Sequence, residues 1–148
     1  MELSHGAYLI SDDPARLDVT AIHAYLAGAY WCANIPRPTL ERAIENSLCL
    51  GAYLDGAQVG LVRCVSDFAT FCYVCDVYVL QEHRGHGLAK AMMQAVSCHP
   101  RLQGLRRWNL VTRDAHGLYE PVGFRAIANP DRYMEKLDPH VYQPKPIA

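Results

Sequence analysis

The dipeptide Asp55-Gly56 separates two apolar, β-rich stretches near the middle of the chain. These stretches are SLCLGAYL, Ser47–Leu54, and AQVGLVRCV, Ala57–Val65. Asp-Gly is a strong signal for a two-residue hairpin turn, because glycine readily adopts positive φ. A third β-rich run, Thr70–Leu80, follows directly. The sequence therefore predicts three consecutive strands, joined at least once by a tight antiparallel turn.

Local signals place further elements on either side of these strands. Asp18 and Thr39 are predicted to cap two helices upstream, and Asp114 is predicted to cap a short helix near the C-terminus. The other predicted elements are a strand at Ala7–Ser11, helices at about Asp18–Tyr30, Leu40–Asn46 and Gly85–Ser97, a buried strand at Arg106–Thr112, and closing strands at Phe124–Ile127 and Tyr133–Leu137.

This order of elements predicts an α+β fold, a mixed α/β sandwich. Antiparallel strands come first, one or more strand–helix–strand crossovers follow, and helices should cover both faces. A length of 148 residues suits a single core. We therefore expect residues 1–148 to form one domain.

Composition and charge argue against several classes of partner. A formal net charge of -1 provides no overall field that would attract nucleic acid or an anionic membrane. No apolar run approaches the roughly 18 residues of a membrane span, and the N-terminus lacks the pattern of a signal peptide. Six cysteines without an export signal are typical of free thiols in a reducing cytosol. The expectation is a cytoplasmic protein that binds neither nucleic acid nor membrane.

Two pairs of residues have the spacing of metal ligands, but we expect no metal site at either. Cys72 and Cys75 form a C-x-x-C within a predicted strand. Residues three apart on a strand point to opposite faces, so both thiols cannot bind one ion. His83 and His86 flank a glycine-rich loop and lack an evident third ligand. Small buried cysteines and exposed loop histidines are the favoured interpretation.

The segment QEHRGHGLAK, Gln81–Lys90, joins a predicted strand to an amphipathic helix. Its glycines allow an anion to approach the backbone, the start of the helix supplies unpaired N–H groups, and Arg84 adds a positive charge. The P-loop pattern G-x-x-x-x-G-K-S/T is absent, and the Rossmann pattern would require glycine where Lys90 stands. The loop is therefore interpreted as a phosphate-binding site of another kind.

Two blocks of residues resemble motifs of the GNAT superfamily of N-acetyltransferases. Arg84-x-x-Gly87-x-Ala89 is similar to the acyl-CoA signature Q/R-x-x-G-x-G/A of that superfamily. LVTRDAHGLYEPVGF, Leu110–Phe124, is similar to its downstream motif. The blocks occur in the order found in the family, and the predicted elements before them also resemble its topology. The matching positions of the second block are Ala115, Leu118, Tyr119, Gly123 and Phe124.

The resemblance implies a GNAT-like domain with a central, twisted and mostly antiparallel sheet. Such a domain uses acetyl-CoA as acyl donor and needs no metal. Backbone amides of the glycine loop would hold the CoA pyrophosphate, and backbone groups around Val77 and Val79 would pair with the pantetheine arm. Thr112 stands where many members of the family carry a CoA-contacting asparagine. The implied CoA-binding residues are Val77, Val79, Arg84, Gly85, His86, Gly87, Leu88, Ala89, Thr112 and Tyr119.

Direct acetyl transfer to an amine requires an acid and a base. The resemblance implies that the Tyr119 hydroxyl lies near the CoA sulfur and protonates the departing thiolate; the alternative is a core tyrosine. Asp76 lies within a predicted central strand, where carboxylates are disfavoured. It could be the general base, or it could form a salt bridge with Arg63 or Arg107. Further candidates for the base are Asp67, Tyr73 and a chain of waters.

The loop AYWCANIPRPT, between the first two predicted helices, is where the acceptor enters in the family that the chain resembles. Tyr30 and Trp31 would form an aromatic wall there, and an aromatic face suits a cationic amine; packing of the helix end is the alternative. The leading hypothesis is an acyltransferase that acetylates the primary amine of a small molecule in a ternary complex. The alternatives are a protein lysine or N-terminus as acceptor, and a non-catalytic acyl-CoA sensor. The resemblance also allows a homodimer.

Overall fold

A computed structural model describes residues 1–143. Six strands form one sheet whose spatial order follows the order in sequence. Neighbouring strands are antiparallel, except for the last pair, which is parallel. The strands are β1 Glu2–His5, β2 Tyr8–Ser11, β3 Leu48–Leu54, β4 Ala57–Ser66, β5 Phe71–Val79 and β6 Arg107–Asn109, and the helices are α1 Val19–Leu26, α2 Arg37–Glu45, α3 Leu88–Ser97 and the one-turn α4 His116–Tyr119.

Helices cover both faces of the sheet, as the element order predicts. Met92 and Val96 of α3 pack against Leu50 of β3 in one apolar cluster. Leu26 of α1 packs with Cys49 of β3 in a second cluster, which also contains residues of α2. Because side chains alternate between the faces of a strand, the neighbours Cys49 and Leu50 belong to opposite faces. The predicted α+β architecture with a mostly antiparallel sheet is confirmed.

The central hairpin forms where Asp55-Gly56 predicts it. Both residues adopt positive φ, 49° and 84°, which is the backbone of a type I′ turn. Strand β1, which pairs with β2 at the edge of the sheet, was not predicted. Its residues are mostly exposed and polar, so no apolar alternation marks it.

Each of the three helices before the last strand departs from the prediction at one end. Asp18 caps α1, since its carboxylate accepts from the Ala21 N–H at 2.9 Å. However, α1 ends at Leu26, well before the predicted end. Thr39 is not a cap, because α2 already begins at Arg37 after Pro36. Helix α3 begins only at Leu88, because two glycines before it have positive φ.

The C-terminal part departs most from the predicted elements. Strand β6 has three residues and is half-exposed, whereas a longer buried strand was predicted. The predicted closing strands at Phe124–Ile127 and Tyr133–Leu137 are wrong, since neither segment is a strand. Strand β6 ends at Asn109 and is too short to pair with either segment over its full length. Asp114 does not cap α4, whose N-cap is Ala115. Residues 144–148 of the predicted surface tail lie outside the described residues.

Among residues 1–143, no helix has the length and apolar character needed to cross a lipid bilayer.

Candidate active site

Strands β5 and β6 are paired only at one end. Phe71, Cys72 and Tyr73 lie opposite residues of β6, and β5 then continues to Val79 with no further partner on that side among residues 1–143. The N–H of Leu80 donates to the Val59 carbonyl of β4 at 2.8 Å. Backbone groups alternate in direction along a strand, so those of Val77 and Val79 face the unpaired side. The sheet thus offers a free strand edge to an extended ligand.

A β-bulge lies at the point where β5 leaves β6. The register with β4 shifts between Leu61 and Arg63, where β5 has one residue more than β4. Asp76 is the extra residue, and its φ of 50° is in the left-handed region. A bulge bends a strand and increases its twist. The bulge therefore accounts for the opening of the sheet and places Asp76 beside it.

Both carboxylate oxygens of Asp76 accept hydrogen bonds. Nε of Arg63 lies 2.6 Å from Oδ2, and Nε1 of Trp31 donates to Oδ1 at 3.1 Å. Arg63 also donates to the Ser47 hydroxyl at 3.0 Å. The ion pair is nearly buried, with the two side chains 16% and 8% exposed. Of the two predicted roles of Asp76, the salt bridge is present, and its partner is Arg63. The guanidinium of Arg107 instead lies over the Tyr133 ring, 5.8 Å from the ring centre.

Tyr30 and Trp31 lie together on the segment between α1 and α2. Their rings form a T-shaped pair 5.1 Å apart and are 60% and 43% exposed. The bond from Trp31 to Asp76 fixes this segment beside the bulge of β5. The guanidinium of Arg113, a residue that the sequence analysis did not single out, lies 4.2 Å from the Tyr30 ring centre. The predicted aromatic wall is therefore exposed and stands at the opening of the sheet.

Tyr119 has a buried ring. It packs edge-on against Phe124 at 6.0 Å. Gly123 has a φ of 97°, which reverses the chain and returns Phe124 to Tyr119. The hydroxyl of Tyr119 has no hydrogen-bond partner within the described part of the chain. Burial raises the pKa of Tyr119, and the nearby Tyr30 raises it further. The hydroxyl is therefore protonated at neutral pH and is free to donate.

The glycine loop presents a row of free donors. Gly85 and Gly87 have φ values of 80° and 73°, and Gly87 is the N-cap of α3 without a side-chain cap. The first helical hydrogen bond runs from the Ala91 N–H to the Gly87 carbonyl at 3.0 Å. Among residues 1–143, the N–H groups from Gly85 to Lys90 have no acceptor. Free N–H groups at the start of a helix attract anions.

Contacts with neighbouring elements fix this loop. Nε2 of His5 donates to the His86 carbonyl at 2.8 Å. The guanidinium of Arg84 donates to the Val79 carbonyl at 3.0 Å, and so bonds the loop to the end of β5. His5 was missed because its contact joins residues far apart in sequence. Arg84, predicted to contact phosphate, is partly engaged with the backbone.

Several other predicted residues have structural contacts. The Thr112 hydroxyl accepts from the Ala115 N–H at 3.0 Å and stabilises the turn before α4. Asp67 accepts from the Thr70 hydroxyl and from three backbone N–H groups of the β4–β5 turn. The Thr70 hydroxyl and these amides hold the pKa of Asp67 well below its usual range, which argues against a role for Asp67 as general base.

The described residues contain no group of three His, Cys, Asp or Glu side chains arranged to hold a metal.

An open cleft of about 870 Å³ lies between β6, α4 and residues 124–134. Thr112, His116 and Tyr119 line it, together with residues between 124 and 134. The residues of the glycine loop do not. The cleft therefore contains Tyr119 but not the free N–H groups of the loop.

The fold and these features define a class of protein: an α+β domain with a parallel strand pair that opens beside a glycine-rich helix start. Residues 45–126 match the model of the acetyltransferase (GNAT) domain family. The chain therefore belongs to the GNAT family of acetyltransferases, which use acetyl-CoA.

Known proteins resemble the chain over most of its length. A protein of Gibberella zeae named as an acetyltransferase is 37% identical, over 78% of this chain and 77% of the relative. A crystal structure from Xanthomonas campestris pv. campestris, described as a GNAT-family acetyltransferase, is 46% identical with a TM-score of 0.91, over 95% of this chain and 100% of that chain. A Clostridium acetobutylicum protein crystallised with acetyl-CoA shares the fold, at 16% identity and a TM-score of 0.64, over 93% of this chain and 96% of that chain.

Proposed function

We propose that the protein transfers the acetyl group of acetyl-CoA to the primary amine of a small molecule, by direct attack in a ternary complex. The observation that carries the proposal is a line of unpaired backbone groups. It runs from the free edge of β5 at Val77 and Val79 to the free N–H groups at Gly85–Lys90. The edge suits an extended amide-containing arm, and the loop suits a diphosphate.

The residues of this line fit the parts of acetyl-CoA. The N–H groups from Gly85 to Ala89 would hold the pyrophosphate. The N–H of Val79 and the backbone groups of Val77 would pair with the pantetheine arm, while the Val79 carbonyl already accepts from Arg84. Thr112 would act indirectly, because its hydroxyl holds the turn before α4.

In the proposed reaction, Tyr119 is the general acid. The amine nitrogen forms a bond to the thioester carbon, the carbon–sulfur bond breaks, and the Tyr119 hydroxyl gives its proton to the departing thiolate. The proton lost by the amine passes to water, and the Tyr119 phenolate regains a proton from water. Asp76 is proposed to position Trp31 rather than to accept this proton, because Arg63 and Trp31 occupy both of its oxygens.

The cysteines beside Asp76 favour direct transfer over a covalent acetyl-cysteine. A cysteine nucleophile acts as a thiolate. Burial raises the pKa of Cys32 to about 12, and the charge of Asp76 contributes to the increase. Burial likewise raises the pKa of Cys75 to about 12. Both thiols therefore stay protonated at neutral pH.

Replacing Gly87 with alanine tests the proposed pyrophosphate site. We expect the Kd for acetyl-CoA, measured by calorimetry, to rise by about 10-fold or more, because the methyl group strains the loop and crowds the donors. Gly104→Ala is the matched control: Gly104 has a φ of 75°, close to the 73° of Gly87, but lies in the turn before β6. An equal loss of affinity in both variants would contradict the assignment, and no binding by the unaltered protein at millimolar acetyl-CoA would refute the proposed function.

We also propose that two copies associate through β6, the residues just after it and the segment Tyr133–Leu137. Apolar side chains are exposed there, with Val111, Met134 and Leu137 exposed by 84%, 97% and 69%. Strand β6 is the last of the sheet, and its outer edge pairs with no residue of the described chain. A second copy would cover the exposed apolar side chains and the open edge of β6 together.

Light scattering tests this association. The unaltered protein should have twice the mass of one chain. The double variant Met134→Asp, Leu137→Asp should have the mass of a single chain. Val65→Asp changes an exposed apolar residue of β4 and should leave the mass unchanged. A single-chain mass for the unaltered protein would show the proposal to be wrong.

A further inference from the structure

A positive charge stands beside the aromatic wall, and the reaction proposed above makes no use of it. The Arg113 guanidinium lies 4.2 Å from the centre of the Tyr30 ring. Arg113 is exposed, and no carboxylate among residues 1–143 lies within ion-pair distance of it. Arg63, which shares the Asp76 carboxylate with Trp31, is already paired with that carboxylate. Arg113 is thus the cation at this position that remains available to a ligand.

Its position is fixed from two sides. The bond between the Thr112 hydroxyl and the Ala115 N–H stabilises the turn that carries Arg113. Tyr30, on which the guanidinium stacks, precedes Trp31, whose indole is bonded to Asp76. Stacking uses the face of a guanidinium and leaves its N–H groups free at the edge. Those N–H groups form a fork that matches a carboxylate.

We infer that Arg113 binds a carboxylate of the acceptor, so that the acceptor is an amino-acid-like molecule, a primary amine that carries a carboxylate. This inference rests on the proposed function and names its substrate class. The Tyr30 and Trp31 rings would contact the carbon atoms between the two charged groups. The amine would then be directed toward Tyr119, which lines the same cleft as Thr112, the residue before Arg113.

The test compares amines that differ only in the carboxylate. Short α- and ω-amino carboxylic acids are assayed beside their primary amides, with thiol release giving kcat and KM for each. We expect kcat/KM to be about 10- to 100-fold higher for the acid of the best pair, the range of a charge-assisted hydrogen-bonded contact. The carboxamide withdraws electrons from the amine more strongly than the carboxylate does. The amide therefore has more free amine at a given pH, and ionisation of the amine cannot produce this preference.

The variant Arg113→Gln should remove this preference. We expect KM for the acid to rise by about 10- to 100-fold, while kcat/KM for the amide stays within about 2-fold. KM for acetyl-CoA should not change. Arg101→Gln is the matched control, because the Arg101 guanidinium also stacks on a ring, that of Phe68 at 3.8 Å, but belongs to a different part of the chain.

Each other outcome has a distinct meaning. Equal turnover of acids and amides by the unaltered protein, or an equal loss for both in Arg113→Gln, would refute the inference and leave the proposed function standing. If Arg113→Gln raises KM for acetyl-CoA alone, Arg113 binds a phosphate of the donor. That result would also refute the inference. If no amine is acetylated at all, the proposed function is wrong, and the inference is wrong with it.

Discussion

Replacing Tyr119 with phenylalanine is expected to lower kcat for acetyl transfer by about 100-fold or more, the usual contribution of a general acid. The change removes one hydroxyl and keeps the ring that packs on Phe124. Fold and acetyl-CoA affinity should therefore be preserved. Without the hydroxyl, the thiolate must leave unprotonated or take its proton from water.

The assay of Tyr119→Phe is thiol release at saturating acetyl-CoA. Tyr133→Phe is a suitable control, since Tyr133 lines the same cleft but has no role in the proposed reaction. The pH profile gives a second readout. The acid form of Tyr119 is the active one and its pKa is raised, so the unaltered protein should lose activity only above the ordinary tyrosine pKa of about 10. This alkaline loss should be absent from Tyr119→Phe. Unchanged turnover would show that Tyr119 is not the acid.

Replacing Arg63 with methionine is expected to reduce the free energy of unfolding by about 3–5 kcal/mol, because it leaves the Asp76 carboxylate buried without its cation. Burial by itself would lower the pKa of Arg63, but the charge and hydrogen bond of Asp76 outweigh it, and the pKa is raised. The guanidinium is therefore charged in the folded protein. The variant should also loosen the segment that carries Trp31, since Asp76 holds that segment in place.

Denaturant unfolding measures this effect. Adding Asp76→Asn to Arg63→Met removes the buried charge and should restore much of the lost stability, since asparagine also tolerates the positive φ at this position. Arg37→Met breaks the exposed ion pair between Arg37 and Glu41 and should cost less than about 1 kcal/mol. If Arg63→Met costs no more than Arg37→Met, the Arg63–Asp76 pair does not stabilise the fold.

The features predicted correctly from sequence are those with short-range causes. Asp55-Gly56 determines its own turn, because its backbone conformation is rare in other residues. The glycine loop and α3 follow from positive φ at the glycines and from apolar spacing within the helix. The short helix predicted near the C-terminus also forms, as α4.

The features that were missed depend on contacts between distant segments. Nothing near His5 in sequence indicates that its ring holds the His86 carbonyl. The left-handed conformation of Asp76 arises from the mismatch in register between β4 and β5, and its ion pair could only be predicted as one of several alternatives. Arg113 and Tyr30 are in contact although they belong to loops far apart in sequence. The closing strands were predicted from residue type alone, which takes no account of whether a neighbouring strand is long enough to pair with them.

The most direct test of the central claim is to incubate the protein with acetyl-CoA and the panel of small amines and to quantify free thiol and acetylated amine together by mass spectrometry. The proposed function predicts that at least one amine is acetylated, that thiol and product appear in equal amounts, and that the amount falls sharply in Tyr119→Phe. Thiol release without acetylated amine, or no product above the protein-free reaction for any amine, would contradict it.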